Sequence, residues 1–528
     1  MMDTVGSSTI PQDGDATHFS CHSSQGPFCE MCQGLRDLDQ EISQTRDTLA
    51  NLLDRRIRFK TSINSIHSPV ICRLPLEVTS SIFECYAVDR SPLTLGAICM
   101  TWRQIAWSTP RIWTSLKVDI SQNTTEARVE VVRDWLGRSG ELPLSIAFLL
   151  DPKITRLDLN MAHLNPIIDT VNQYSSQWQS LSLRLPPSQL QRFGEGAVVS
   201  STLKMLHLKP LPWEASFRCN ISASPSTVFL EGVRLRSLAF RWDKLTTVTT
   251  CMSDVDEVLQ ILRISPLLQK ATFEFVDTNP DTLGGIESIN FSHYNLKHLD
   301  VEFDISAEMV ANFFDAISLP ALTVLKVTCG EEQLPHQAFV SFFERSSCVL
   351  DELSLRGWFL TDESLISVTK PMHTLAFLDI MTLRPQDPLD IFFRAFEAHI
   401  TTSDQPEGSV TPGTPLLPRL RKFRWFGGHA FKWEPFRSLF SSLVGDEYAP
   451  RPLEYIRIRC YRESKEDPVP YIDYDTLMEV VNMRGLDYNL QVGLVGEEEG
   501  DDLVELSFAK IKAEQSGGAQ SAVQKLVK

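Results

Sequence analysis

Residues 322–327 read Leu322-Thr323-Val324-Leu325-Lys326-Val327, and this apolar-x-x-apolar-x-apolar pattern decides the fold. Its fourth and sixth positions lie two residues apart, so both side chains point to one face of a strand. The same pattern returns upstream as Leu296/Leu299/Val301, Leu268/Ala271/Phe273, Leu235/Leu238/Phe240, Leu203/Leu206/Leu208 and Trp178/Leu181/Leu183. Downstream it returns as Leu350/Leu353/Leu355, Leu375/Leu378/Ile380, Leu420/Phe423/Trp425 and Leu453/Ile456/Ile458. Successive copies begin 25, 32, 33, 28, 26, 28, 25, 45 and 33 residues apart. The intervening segments 309–317 and 338–343 are amphipathic and read as helices. Strand and helix recurring in this way predict an α/β chain, a strand–helix solenoid with right-handed connections and a parallel sheet. An ordinary α/β domain is the alternative. The apolar alternation at 142–146 belongs to the N-terminal end of the same array.

Most of these intervals fall near the period of leucine-rich repeats, and the array resembles the irregular kind, because the consensus Asn of strict repeats is missing. The expected span is 117–510. The 45-residue interval holds a Thr/Pro/Gly/Ser-rich loop at about 401–418, a second loop is expected at 463–470, and 497–502 is an acidic turn. Residues 511–528 read as a mobile tail.

The 528 residues carry 50 Lys and Arg against 67 Asp and Glu, a formal net charge of −17. That balance argues against broad phosphate-driven binding of nucleic acid. No run of 18 apolar residues predicts a membrane span, and the N-terminal residues lack the apolar stretch of a secretion signal. The expected location is therefore the cytoplasm, the nucleus or both, with the 11 cysteines reduced. Residues 1–33 read as a disordered tail. Within it Cys29-Glu30-Met31-Cys32, with Cys21, His18 and His22 nearby, has a spacing that zinc can use. No second cysteine pair completes a site, and three free thiols are the favoured reading.

Residues 34–67 form the most regular segment. Leu35, Leu38, Ile42, Thr45, Leu49, Leu52, Arg56, Phe59, Ile63 and Ile66 alternate spacings of three and four, which is a heptad seam. Thr45 and Arg56 interrupt it. The helix either dimerises as a short coiled coil or lays its stripe on the following unit, and the second reading is favoured.

Ser68-Pro69 ends that helix. Then come Leu74-Pro75-Leu76-Glu77-Val78, Ile82-Phe83, Leu95, Ile98-Cys99, Trp102-Arg103, Ala106, Thr109-Pro110 and Ile112-Trp113. Three short helices are expected here. They are too small to bury so many large apolar side chains alone, which calls for a partner helix. The order of prolines, tryptophans and apolar residues over 69–116 resembles an F-box. The preceding heptad helix, and Val131 to Gly140 leading into Leu142-Pro143-Leu144, are similar to a group of fungal F-box proteins. Departures are Thr79, Ser80 and Ser81, where the family has an aliphatic run. The resemblance implies docking on a Skp-family adaptor and, through it, on a cullin. It implies that Leu74, Pro75, Val78, Ile82, Phe83, Leu95, Ile98, Cys99, Trp102 and Trp113 are adaptor contacts or the core behind them.

The sequence holds no phosphate-binding Gly-rich loop, no His-Glu-x-x-His and no Gly-x-Ser-x-Gly, so no enzymatic activity, cofactor or metal is expected. A binding role fits better. Side chains beside the sixth pattern position would face the open side of the sheet: Arg184, Lys209, Arg241, Glu274, Asp300, Glu302, Lys326, Arg356, Asp379, Arg424, Arg457 and Arg459. They run basic, acidic, mixed, then basic, and could select a charged target protein. Ordinary solvation of a strand face is the competing reading. Trp358, Trp425, Phe426 and Trp433 are either exposed anchors or core, with core favoured for the tryptophans.

Overall fold

A computed structural model describes residues 30–66, 74–120, 126–150, 162–195, 202–211, 217–278, 290–330, 332–382, 389–396, 416–428, 431–439, 452–482, 486–495 and 500–526. The chain is mixed α/β, with a large, mostly parallel sheet and fifteen α-helices among the described residues. It divides into two compact units, 1–106 and 107–528.

In the first unit, α1 (Glu30–Ile66) is one 37-residue helix that begins inside the segment read as a tail. Three short helices follow: α2 (Leu76–Ala87), α3 (Pro92–Ile98) and α4 (Met100–Trp107). Ser91 caps α3 by accepting from the Leu93 N–H, and Pro92 takes the first position, where its missing N–H costs nothing.

The second unit is built on 15 strands: β1 (Ser115–Ile120), β2 (Leu144–Leu150), β3 (Trp178–Leu185), β4 (Met205–Pro210), β5 (Thr227–Glu231), β6 (Thr247–Cys251), β7 (Lys270–Val276), β8 (His298–Phe303), β9 (Val324–Cys329), β10 (Glu352–Arg356), β11 (Phe377–Thr382), β12 (Lys422–Gly428), β13 (Tyr455–Arg462), β14 (Asp487–Leu494) and β15 (Asp501–Asp502). They lie side by side in chain order. Each pairs parallel with the next except β15, which runs antiparallel to β14. One face carries the pattern leucines: Leu206, Leu208, Leu299, Val301, Leu325 and Val327 are all buried. Helices cover that face. Phe303 of β8 meets Phe313 of helix Ala307–Asp315 at 5.3 Å, and Phe423 of β12 meets Phe393 of helix Asp390–Arg394 at 6.1 Å. Threonine hydroxyls just before the strands tie neighbouring strand–helix segments together. Thr202 donates to Ser176 O, Thr246 to Ser226 O, Thr323 to Lys297 O and Thr374 to Leu350 O, at 3.0–3.1 Å.

Nine of the ten pattern copies lead into these strands. The tenth, Leu235/Leu238/Phe240, does not. Leu235–Ser237 is a 3-10 turn, and Leu238 makes only an isolated bridge to Cys219. Here β5 and β6 supply the sheet, with too few residues between them for a helical return. Trp113 also differs from expectation. It belongs to the second unit, because Trp113/Leu116/Val118 is itself the strand pattern leading into β1. Within the closing segment, 511–526 continues helix Leu503–Leu526. Cys21, Cys29 and most of the 401–418 loop lie outside the described residues.

Among the described residues the seam of α1 is exposed. Leu35, Leu38, Ile42, Leu49, Leu52, Phe59 and Ile63 are 48–62% exposed. Charged residues border much of the seam, and Leu53 and Ile57 beside it are exposed as well, at 47% and 60%.

Candidate interaction surfaces

Helices α2–α4 sort their apolar residues into two sets. Phe83 and Leu95 are buried, and the Phe83 ring packs on Trp102 at 5.2 Å. Arg103 Nε donates to Gly96 O (2.8 Å), locking α4 to the end of α3. Cys99, half-buried between α3 and α4, accepts from the Trp102 N–H at 3.5 Å. The other set faces out. Pro75, Val78, Ile82 and Ile98 are exposed and Leu74 is half-buried. Leu76, Leu93 and Met100, not selected from the sequence, are exposed as well. An apolar set of this size on so small a unit marks an interaction surface. Trp113 is no part of it. Fully buried, it sits edge-on to Trp107 at 5.4 Å and Trp135 at 5.0 Å, with the Arg138 guanidinium 4.9 Å from its ring.

The sheet face opposite the leucines is the second surface. Cross-strand register aligns Lys117, Ala147, Ser182, His207, Phe229, Thr249, Thr272, Asp300, Lys326, Ser354, Asp379, Arg424, Arg457 and Asn489 in one row. A second row holds Arg184 beside Lys209, Glu274 beside Cys251, and Glu302, Thr328, Arg356, Met381, Phe426, Arg459 and Gln491. Eleven of the twelve expected face residues therefore share this side. Arg241 does not: it lies exposed, outside the sheet strands, because its pattern copy is the one that is not a strand.

Charge changes along the face. At the N-terminal end, Ser182 Oγ lies 3.2 Å from His207 Nδ1, His207 Nε2 lies 2.9 Å from Glu231 Oε1, and Lys209 pairs with the other Glu231 oxygen. Burial would raise the Glu231 carboxyl, but hydrogen bonds from Lys209 and His207 outweigh it and hold the carboxyl below its ordinary value. These are the residue types of a hydrolytic triad. Yet Ser182 lies within β3, which pairs parallel with β2 and β4 on both sides, so the strand N–H groups beside it belong to the ladders. The network is a cross-strand tie, and Glu231 had no signal in the repeat pattern.

Next along the face come Glu274, Asp300, Glu302 and Asp304. Burial, then Glu274, Asp300 and Asp304, push the Glu302 carboxyl above its ordinary value. A carboxyl raised in the fold opposes folding when ionised, and this opposition vanishes as pH falls through its raised value. Glu302→Gln should therefore stabilise the protein at pH 7 by roughly 0.5 kcal/mol or less. The gain should be absent at pH 3. Urea unfolding at the two pH values checks this, and an equal gain at both would contradict the charge argument.

Further on, Lys326 pairs with Glu352 at 2.8 Å. Arg356 donates to buried Asp379 from Nη2 (2.8 Å) and Nε (3.2 Å), and Ser354 adds a third bond at 2.9 Å. Then the face turns basic. Arg424 stacks 5.3 Å from the Phe377 ring, Arg457 5.4 Å from Phe426, and Arg459 5.3 Å from Tyr461. Arg424 and Arg457 are register partners on β12 and β13, and both bury Nε without a hydrogen-bond partner among the described residues. The nearest cross-strand carboxylate, Asp379, is already committed to Arg356. Phe426 is half-buried on this face, whereas Trp358, Trp425 and Trp433 are core. Their indole N–H groups donate to Val327 O, Gly428 O and Pro470 O at 3.0–3.3 Å.

Cys85, Cys99, Cys219, Cys251, Cys329, Cys348 and Cys460 are all free thiols. Cys460, in the sheet core, has its thiol pushed up to about 12 by burial, the reverse of what a nucleophile needs. Among the described residues no helix is long and apolar enough to cross a membrane, and no cluster of metal-ligating side chains occurs. No protein-family model matches the chain, and no curated protein matches it.

Proposed function

We propose that the chain is a substrate-recognition subunit of an SCF-type ubiquitin ligase. In this reading 69–106 is the F-box, shorter at its end than the sequence resemblance implies, and it docks on a Skp-family adaptor that bridges to a cullin. The second unit is an irregular leucine-rich-repeat-like solenoid whose open face holds a target protein. One observation carries the reading: α2–α4 bury Phe83 and Leu95 but leave Leu76, Val78, Ile82, Leu93, Ile98 and Met100 exposed. The chemistry of catalysis belongs to the ligase partners. This chain would contribute proximity, raising the target's effective concentration near the charged enzyme. The half-buried Arg424 and Arg457 favour a target segment rich in carboxylate or phosphate, while Arg459 is buried. The cytoplasm, the nucleus or both are the compartments where such a ligase acts.

Reconstitution with purified adaptor and cullin tests the proposal. A stable ternary complex is expected. Binding of the adaptor without cullin would instead favour a protein-interaction scaffold that promotes no degradation. No binding of the adaptor at all would end the F-box reading.

A further inference from the structure

We infer that α1 pairs antiparallel with α1 of a second copy of this chain. The helix presents a seam from Leu38 to Ile63 that is exposed among the described residues, with Leu53 and Ile57 exposed beside it. An exposed heptad stripe of this kind matches a partner helix of similar pattern. The sequence of α1 itself specifies what that helix is and which way it runs.

Consider the two poor seam positions first. In a parallel pair, equal positions meet, so Arg56 would abut the partner's Arg56 inside the seam. In an antiparallel pair, residues whose numbers add to 101 meet. Leu38 then faces the partner's Ile63, Ile42 the partner's Phe59, and Leu49 the partner's Leu52. Thr45 falls opposite the partner's Arg56, so the two interruptions share layers and every other layer is apolar on both sides. Thr45 spends its hydroxyl on Glu41 O at 2.8 Å within its own helix, which leaves its methyl for the seam. The overlap from Leu38 to Ile63 spans about 39 Å of helix.

Charge gives the same orientation. The first half of α1 carries Glu30, Asp37, Asp39, Glu41 and Asp47 against Arg36 and Arg46. The second half carries Arg55, Arg56, Arg58 and Lys60 against Asp54. Antiparallel pairing lays the acidic half on the basic half and sets Asp39 beside the partner's Lys60, twice by symmetry. Parallel pairing offers one attractive flank, Glu41 with the partner's Arg46. It also sets Arg55 beside the partner's Lys60, and like charges at flanking positions oppose association.

The two orientations predict opposite signs for one substitution. Sedimentation equilibrium of the purified full chain should show a reversible dimer. Lys60→Glu should weaken it about tenfold, by placing like charges beside Asp39 at both symmetric contacts. The swap Asp39→Lys with Lys60→Asp should restore the original affinity, which also shows that the helix still forms. A photocrosslinker at Leu38 should mark the partner near Ile63. A chain that stays monomeric at tens of micromolar, a dimer tightened by Lys60→Glu, or a crosslink from Leu38 to the partner's Leu38 would each overturn the inference. None of these measurements involves the adaptor, so the outcome is independent of the ligase proposal.

Discussion

A chain carrying Val78→Asp and Ile82→Asp should stop co-purifying with a Skp-family adaptor while its thermal unfolding stays unchanged. Both residues lie on α2, four positions apart and so on one helix face, and both are exposed in the free chain, at 44% and 42%. Removing them costs the isolated fold little, because surface substitutions seldom move stability beyond about 0.5 kcal/mol. At an interface the balance differs. Burying a Val or Ile side chain contributes roughly 1.5–3 kcal/mol, and an unpaired carboxylate forced into the same place costs several more. Two such changes should weaken binding at least ~100-fold, since 1.4 kcal/mol is a factor of ten. Phe83→Ala is the contrasting variant. Its ring is buried against Trp102, so truncation should cost the box about 3–5 kcal/mol and abolish binding by unfolding it. If the double Asp variant retains the adaptor, the exposed apolar set is not the docking surface.

The sheet was legible wherever its inward positions are apolar. Leu-x-x-Leu-x-Leu announces a strand because alternate side chains must be buried together, and nine copies became strands for that reason. β6 went unread because the corresponding residues are Leu245, Val248 and Thr250, and a threonine hides the period although it is buried. The segment just before it, Leu235/Leu238/Phe240, has the pattern without the strand. Only fifteen residues, 232–246, separate β5 from β6, and the intervening turns use those apolar side chains as core. Trp113 could have been placed correctly from the same pattern, since it stands three residues before Leu116 as Trp178 stands before Leu181. The box claimed it because both motifs use tryptophan there. The charged face was legible as a face but not as a set of partnerships. Which arginines are neutralised depends on register: Arg356 finds Asp379 one strand away, whereas Arg424 and Arg457 meet each other.

Gly357→Ala should be the most damaging small substitution in the second unit, costing about 2–4 kcal/mol by urea unfolding. Gly357 follows β10 and has φ +78°, a conformation that costs a residue with a Cβ about 1–2 kcal/mol. Space is the larger problem. A Cβ there would stand 1.8 Å from Cys329 O at the end of β9, far inside contact distance, so backbone must move. The movement cannot be local, because the Gly357 N–H also donates to Met381 O of β11 at 2.7 Å. One residue thus joins the ends of three strands, and displacing it shifts Arg356 against Asp379. The loss should therefore exceed the conformational term alone. Gly330 is the control, with nothing within 4 Å of its Cβ position, and Gly330→Ala should move stability by less than about 1 kcal/mol. Equal unfolding midpoints for the two variants would show that Gly357 does not pin these strands. A selective loss would mean that the spacing of the mixed and basic parts of the face is set by backbone contact at the strand ends, and not by the ion pairs on it.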